Sequence, residues 1–161
     1  RTTVGHSDLV VARELGRFER RLYAAPGYLE QHGTPADPSE LQQHHTVTHT
    51  AQGPAVTWVF RNAQGKPLEV TVRSRLAASS SALVHHALVS GAGIGMLSSP
   101  LAAADAAQGR LVEVLAPFAS GTVHTLYAVS SPGRRNAARV KAVIDFLVKA
   151  SKDGWALAPV R

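Results

Sequence analysis

Cysteine is absent from all 161 residues of this chain. Disulfide bonds, thiolate metal sites and cysteine nucleophiles are therefore excluded, and the absence fits a cytoplasmic protein. No apolar run approaches the length of a transmembrane helix, and no charged segment followed by an apolar one marks a signal peptide. Acidic residues are also few, 11 against 17 lysines and arginines, so the formal net charge is +6. We expect a cytoplasmic protein without a membrane partner.

The length fits one ordinary domain or a large part of a two-lobed one, and 45% hydrophobic residues are enough to form a core. The chain opens on Arg1 instead of Met, and this abrupt start leads us to expect a fragment of a longer protein. The one basic cluster without acids contains Arg134, Arg135, Arg139 and Lys141. It lacks the interleaved aromatic residues of a single-strand binder, so we interpret it as a solvated helix face.

The stretch Leu76–Ala104 carries no charged side chain although the protein is basic. A β-branched run over Leu68–Ala78 predicts a strand, and Ala82–Val89 suits a helix that Gly91 would end. Ile94–Leu97 predicts a short buried strand. This order of strand, helix and strand is typical of a βαβ unit with parallel strands and a right-handed crossover.

Two serine clusters lie where such a unit would bind a ligand. Ser79–Ser81 precede the helix, and Ser98 and Ser99 follow the second strand. Both clusters fall at the carboxyl edge of the sheet, where open α/β sheets bind ligands. The helix N-terminus adds free N–H groups and a partial positive charge, which favour an anion. The alternative is that the serines only cap the helix and begin a turn, and we expect at least one of them to be a cap.

The rest of the chain alternates strands and helices. Strand patterns cover residues 18–25, 44–50, 56–60, 110–115 and 123–129, and helical patterns cover 27–31, 101–108 and 136–149. A hairpin loop at 62–66 would return the chain antiparallel over 68–72. Residues 7–16 leave a short helix and an extended segment both open. The sequence therefore predicts an α/β fold with a mixed sheet.

Signatures of catalysis and of metal binding are incomplete in this sequence. The glycines of Gly91–Gly95 follow a helix instead of a strand, and methionine stands where the third glycine of a dinucleotide fingerprint belongs. We interpret them as a tight turn. The histidine pairs His44-His45 and His85-His86 have no carboxylate nearby in the sequence, and adjacent side chains point in different directions, so we interpret them as structural. We expect no catalytic residues, no metal, no cofactor and no enzymatic activity.

Several short motifs, each weak alone, follow one another along nearly the whole chain. They are SDLVVARELG at 7–16, RLYAAPGYL at 21–29, HGTP at 32–35, LQQH at 41–44, WVF at 58–60, LVSGAGIGML at 88–97, GRLVEVL at 109–115 and the helix at 136–149. In this order they resemble the C-terminal effector-binding (substrate-binding) region of LysR-type transcriptional regulators.

The resemblance implies a periplasmic-binding-protein-like fold of two lobes with mixed, mostly parallel sheets and an effector in the cleft between them. Residues 24–127 would form the second lobe, and residues 1–23 and 128–161 the remaining part of the first. The implied partners are a small-molecule effector, such as a small organic acid, and further copies of the chain in a dimer or tetramer. Promoter DNA would be bound through a winged helix-turn-helix domain that is absent from this chain.

Ligand positions of the resembled family fall on five residues, Ser79, Ser80, Ser98, His49 and Thr50. Sheet geometry selects the three serines independently. Ser98 departs from the family pattern, because proline is usual at that position. Two alternatives stay open: a periplasmic or transport solute-binding protein of similar fold, and an α/β enzyme, for which the uncharged stretch offers no pair of titratable groups.

Overall fold

The computed structural model describes residues 11–49, 55–62, 64–118, 122–130 and 137–152. In chain order the helices and strands are β1 (Val11–Ala24), α1 (Pro26–His32), β2 (Thr46–His49), β3 (Ala55–Arg61), β4 (Pro67–Ala78), α2 (Ser81–Val89), β5 (Ile94–Ser98), α3 (Ser99–Ala107), β6 (Val112–Val114), β7 (Val123–Ser130) and α4 (Ala137–Lys152). Short 3-10 helices lie at Pro38–Gln43 and Ala116–Phe118. No helix within these ranges is long and apolar enough to cross a membrane.

The chain forms two compact units. The large unit contains residues 20–122, and the small unit contains residues 1–19 and 123–161. In the large unit the strand order is β3-β4-β2-β5-β1-β6, and the last residues of β1 are the ones that pair with β5 and β6. In the small unit the first residues of β1 pair antiparallel with β7.

The mixed character of the sheet is confirmed, but the expected predominance of parallel strands is wrong. β2 runs parallel to both β4 and β5. The other four pairings of the described strands are antiparallel. The reason is that β1 runs against all three of its partners, and that β3 and β4 form the predicted hairpin.

The segment that the sequence left open between helix and extended chain belongs to a single strand of 14 residues, Val11–Ala24. Residues 7–10 of that segment lie outside the described residues. Pairing with β7 holds the chain extended, with a register shift between Glu14 and Gly16. A bulge of this kind places one extra residue in the strand and bends it locally.

Alternation along the strands divides the core of the large unit between the two faces of its sheet. On one face Leu22 and Ile94 pack with Trp58. On the other face, Tyr23 and Leu97 pack beneath helices α2 and α3. In the last residues of β1 and in β5, even-numbered residues therefore lie on the first face, and odd-numbered residues lie on the face that the helices cover.

Glycines form the predicted tight turn between α2 and β5, and two glycines, one just before β5 and one within it, allow close packing. Gly91, just after α2, has a φ of 79°, which is accessible mainly to glycine. A Cβ on Gly93 would collide with the backbone carbonyl of His45. A Cβ on Gly95 would lie 2.6 Å from the carbonyl oxygen of Val47. Without side chains at these two positions, β5 can lie directly against β2.

Candidate functional site

Three parallel strands end together at one edge of the sheet in the large unit. β4 ends at Ala78, β2 at His49 and β5 at Ser98. The register pairs His49 with Ala78, and Val47 of β2 with Gly95 of β5. The structure therefore brings the described candidate residues to the same carboxyl edge, as expected from a βαβ arrangement. Thr50, the fifth candidate, lies outside the described residues.

Ser79 and Ser80 connect the end of β4 to the start of α2, and both are exposed. Ser80 is the N-cap residue, but its side chain makes no capping hydrogen bond. Ser80 thus occupies the cap position that was expected for a serine, although its hydroxyl does not form the capping bond. Because the helix begins at an exposed edge, water can satisfy its first N–H groups. The hydroxyl of Ser80 is consequently available to a ligand.

Ser98 ends β5 and is also the N-cap of α3, again without a side-chain capping bond. It is half-buried. Ser99 and Pro100 form the first turn of α3 instead of a separate turn, because proline is tolerated at the first helical positions. Two helix N-termini, those of α2 and α3, thus begin at the same edge of the sheet.

Asp105 joins these two helices, and the sequence did not reveal this. Its Oδ2 lies 2.7 Å from Nε2 of His85 on α2, and its Oδ1 accepts a hydrogen bond of 2.5 Å from Nε of Arg110. The side chain is buried, with 6% of the residue exposed. The hydrogen bond from Arg110, and then that from His85, lower the pKa of the Asp105 carboxyl. Although the sequence around His85-His86 contains no carboxylate, the fold brings one from 20 residues away.

We expect Asp105→Asn to lower the unfolding temperature at neutral pH and to change its dependence on acid. Because the pKa of Asp105 is lower in the folded protein than in the unfolded chain, the ionised carboxyl stabilises the fold above about pH 4. This stabilisation is lost as pH falls through the lowered pKa. The unfolding temperature, measured between pH 7 and pH 3, should therefore differ most from that of wild type at pH 7. This difference should become smaller as the pH falls.

The exposed carboxylate of Glu69 on β4 provides the control for this experiment. Glu69→Gln should unfold like wild type across the whole range. A constant difference between Asp105→Asn and wild type from pH 7 to pH 3 would show that the Asp105 carboxylate does not carry the acid sensitivity.

The other histidine pair stabilises the opposite end of β2. The Tyr28 hydroxyl lies 3.1 Å from Nδ1 of His44 and accepts a hydrogen bond of 3.0 Å from the backbone N–H of His45. Burial is the main factor that lowers the pKa of both imidazoles, and this favours their neutral forms. In the part of the chain that the structure describes, no three potential ligands form a group that could hold a metal ion.

Comparison with known proteins identifies relatives across nearly the whole chain. The family model of the LysR substrate binding domain matches residues 1–152. The HTH-type transcriptional regulator CrgA of Neisseria meningitidis serogroup C is 35% identical over 138 residues, covering 86% of this chain and 46% of that protein. PtxR of Pseudomonas aeruginosa, also an HTH-type transcriptional regulator, is 32% identical over 138 residues, covering 84% and 43%. The chain thus spans less than half the length of these curated relatives.

The structure is similar to a solved regulatory domain. The CrgA regulatory domain from Neisseria meningitidis, a LysR-type transcriptional regulator, matches with a TM-score of 0.82 at 33% identity. The match covers 92% of this chain and 72% of that one. The predicted fold class, a two-lobed α/β domain with a mixed sheet, is thereby confirmed.

Proposed function

This chain belongs to the LysR substrate-binding domain family, and on that basis we propose that it senses a small-molecule effector for a DNA-binding transcriptional regulator. The large unit, residues 20–122, corresponds in this proposal to the second lobe, which the family resemblance led us to expect over residues 24–127. The small unit corresponds to the remaining part of the first lobe. The supporting observation is the edge of the large unit's sheet, where β2, β4 and β5 end and two helices begin.

The effector in this proposal binds at that edge, in contact with Ser79, Ser80, Ser98, His49 and Thr50. The hydroxyls of Ser80 and Ser98 support this assignment because neither is used to cap its own helix. The N-termini of α2 and α3 contribute partial positive charge, and the uncharged stretch adds no carboxylate that would oppose an anion. A small organic acid is the effector class that this chemistry favours.

Control of transcription then requires the remainder of the protein. A ligand shifts an equilibrium only by the difference in its affinity for the two states. We therefore propose that effector binding changes the arrangement of subunits in a dimer or tetramer in the cytoplasm. This oligomer would bind promoter DNA through a domain that is absent from this chain. Two relatives are HTH-type transcriptional regulators, and this favours the proposal over a solute-binding protein of similar fold.

We expect Ser80→Ala to weaken effector binding without unfolding the protein. Small organic acids are first screened for compounds that change how tightly the full-length protein binds the DNA upstream of its own gene. Calorimetry then gives the dissociation constants of these compounds. Loss of one hydrogen bond of about 1 kcal/mol predicts a roughly fivefold weaker complex. Ser90→Ala is the matched control, because Ser90 is an exposed serine at the opposite end of α2, and it should bind like wild type.

Two results would refute the proposal at different levels. Equal affinity of Ser80→Ala and wild type for the effector would exclude Ser80 from the site. If the full-length protein does not bind the DNA upstream of its own gene, the role in transcription is excluded.

A further inference from the structure

Arg20 carries a positive charge for which the described residues provide no counterion. The side chain is half-buried in β1. Its one hydrogen bond within the described ranges runs from Nη2 to the backbone carbonyl of Met96, at 3.3 Å. Its neighbour Arg21, by contrast, pairs with Glu113 at 2.8 Å. Burial alone lowers the pKa of Arg20, which is the effect expected of a desolvated cation without an anionic partner.

The register of the sheet places Arg20 beside a candidate site residue. Arg20 of β1 lies directly opposite Ser98 of β5 in the antiparallel pair. Residues directly opposite each other project to the same face, with Cβ atoms about 4.5–5.5 Å apart. The Cβ atoms of Arg20 and Ser98 are therefore neighbours near the end of β5, and the Arg20 guanidinium reaches the carbonyl of Met96 on the same strand.

A residue with a strained backbone, Leu115, lines the same small cavity as Arg20. Arg20 lines a small cavity with Phe60, Met96 and Leu115, whose free volume of about 10 Å³ fits roughly one water molecule. Leu115 has a φ of 56°, in the left-handed region that residues with a Cβ rarely adopt. Strained residues of this kind concentrate at ligand sites. Glu113 also lines the cavity, but its carboxylate is bound by Arg21.

We propose that Arg20 binds the anionic group of the effector, a carboxylate, with the Ser98 hydroxyl as a second donor. This inference rests on the proposed function and names the residue that selects acids over neutral compounds. A guanidinium offers two parallel N–H donors that match the two oxygens of a carboxylate. The carboxylate of the ligand would be the counterion that Arg20 lacks among the described residues. The desolvated charge of Arg20, which opposes folding, would then favour binding.

The test compares acetate with acetamide, which have the same shape and differ in charge. Thermal unfolding of the full-length protein is followed at increasing concentrations of each probe, with ionic strength held constant by sodium chloride. Stabilisation that saturates with concentration gives an apparent dissociation constant. We expect acetate to raise the unfolding temperature saturably and acetamide to leave it unchanged.

Variants of Arg20 then separate binding from packing. Arg20→Gln should weaken acetate binding more than tenfold and should raise the unfolding temperature of the ligand-free protein, because it removes a desolvated charge. A purely structural Arg20 predicts the opposite change in temperature. Arg20→Lys keeps the charge without the bidentate geometry and should weaken binding several-fold. Arg73→Gln removes an exposed arginine of β4 and should leave the acetate response intact.

An acetate response of Arg20→Gln equal to that of wild type would overturn the proposal, as would equal stabilisation by acetamide. If Arg20→Gln does not accumulate, an unchanged dissociation constant for Arg20→Lys would overturn it. The two proposals can fail separately. If acetate binding depends on Arg20 but Ser80→Ala binds the screened effector like wild type, the Arg20 site is supported. The contact of the effector with Ser80 is then refuted.

Discussion

Ile94→Asp is expected to abolish soluble expression of the protein. Ile94 is fully buried at the start of β5, opposite Thr46 of β2. Its N–H donates a hydrogen bond of 2.9 Å to the carbonyl of His45, and its side chain packs in the cluster that contains Trp58. A carboxylate there finds no partner among these apolar neighbours. Its burial costs roughly 5 kcal/mol or more, about the whole stability of a small domain.

The measurement is the soluble fraction after expression, followed by circular dichroism of whatever is recovered. Ile94→Val is the control, because it keeps the β-branched shape and removes one methylene at a cost of about 1 kcal/mol. It should remain soluble and folded. Recovery of folded Ile94→Asp would mean that β5 is not part of the core of the large unit.

Gly93→Ala should separate β5 from β2 and destabilise the protein by roughly 3 kcal/mol or more. Two effects add at this position. The new methyl group would collide with the backbone of His45, and the φ of 150° is one that residues with a side chain rarely adopt. The collision also threatens the hydrogen bond from the Ile94 N–H to the His45 carbonyl. Because Gly93 directly precedes β5 and Ser98 ends that strand, effector binding should weaken together with stability.

Urea unfolding of the folded variants measures this loss. Gly91→Ala is a control in the same turn, since Gly91 has a φ of 79° but nothing within 4 Å of an added Cβ. It should lose only the conformational part, about 1 kcal/mol. Equal losses for the two variants would show that close packing against His45 is not what position 93 requires.

Local patterns were sufficient for most of the secondary structure. The β3–β4 hairpin and the amphipathic helix α4 were both predicted within a few residues of their observed bounds. The helix follows from a period of apolar residues and the hairpin from its turn residues, and both signals lie in residues close together in the sequence. β1 was only half predicted, because its first residues have no period of their own and are extended through pairing with β7.

The candidate site divides in the same way. The positions of Ser79, Ser80 and Ser98 at one edge could be predicted, because the order of strand, helix and strand determines where parallel strands end. The contacts of Asp105 with His85 and of Arg20 with Met96 could not, because they join residues 20 and 76 positions apart. No local pattern identifies such partners.

By itself, the sequence determined the order of the elements, the uncharged stretch that contains the candidate serines, and the family to which the motifs point. These depend on the period of apolar residues and on turn residues, which act over a few neighbours. Only the tertiary structure decided that β1 runs antiparallel to β5, which places Arg20 opposite Ser98. Strand order and register are set by the packing of distant segments against one another, so the charge at the proposed site emerges only when the sheet is assembled.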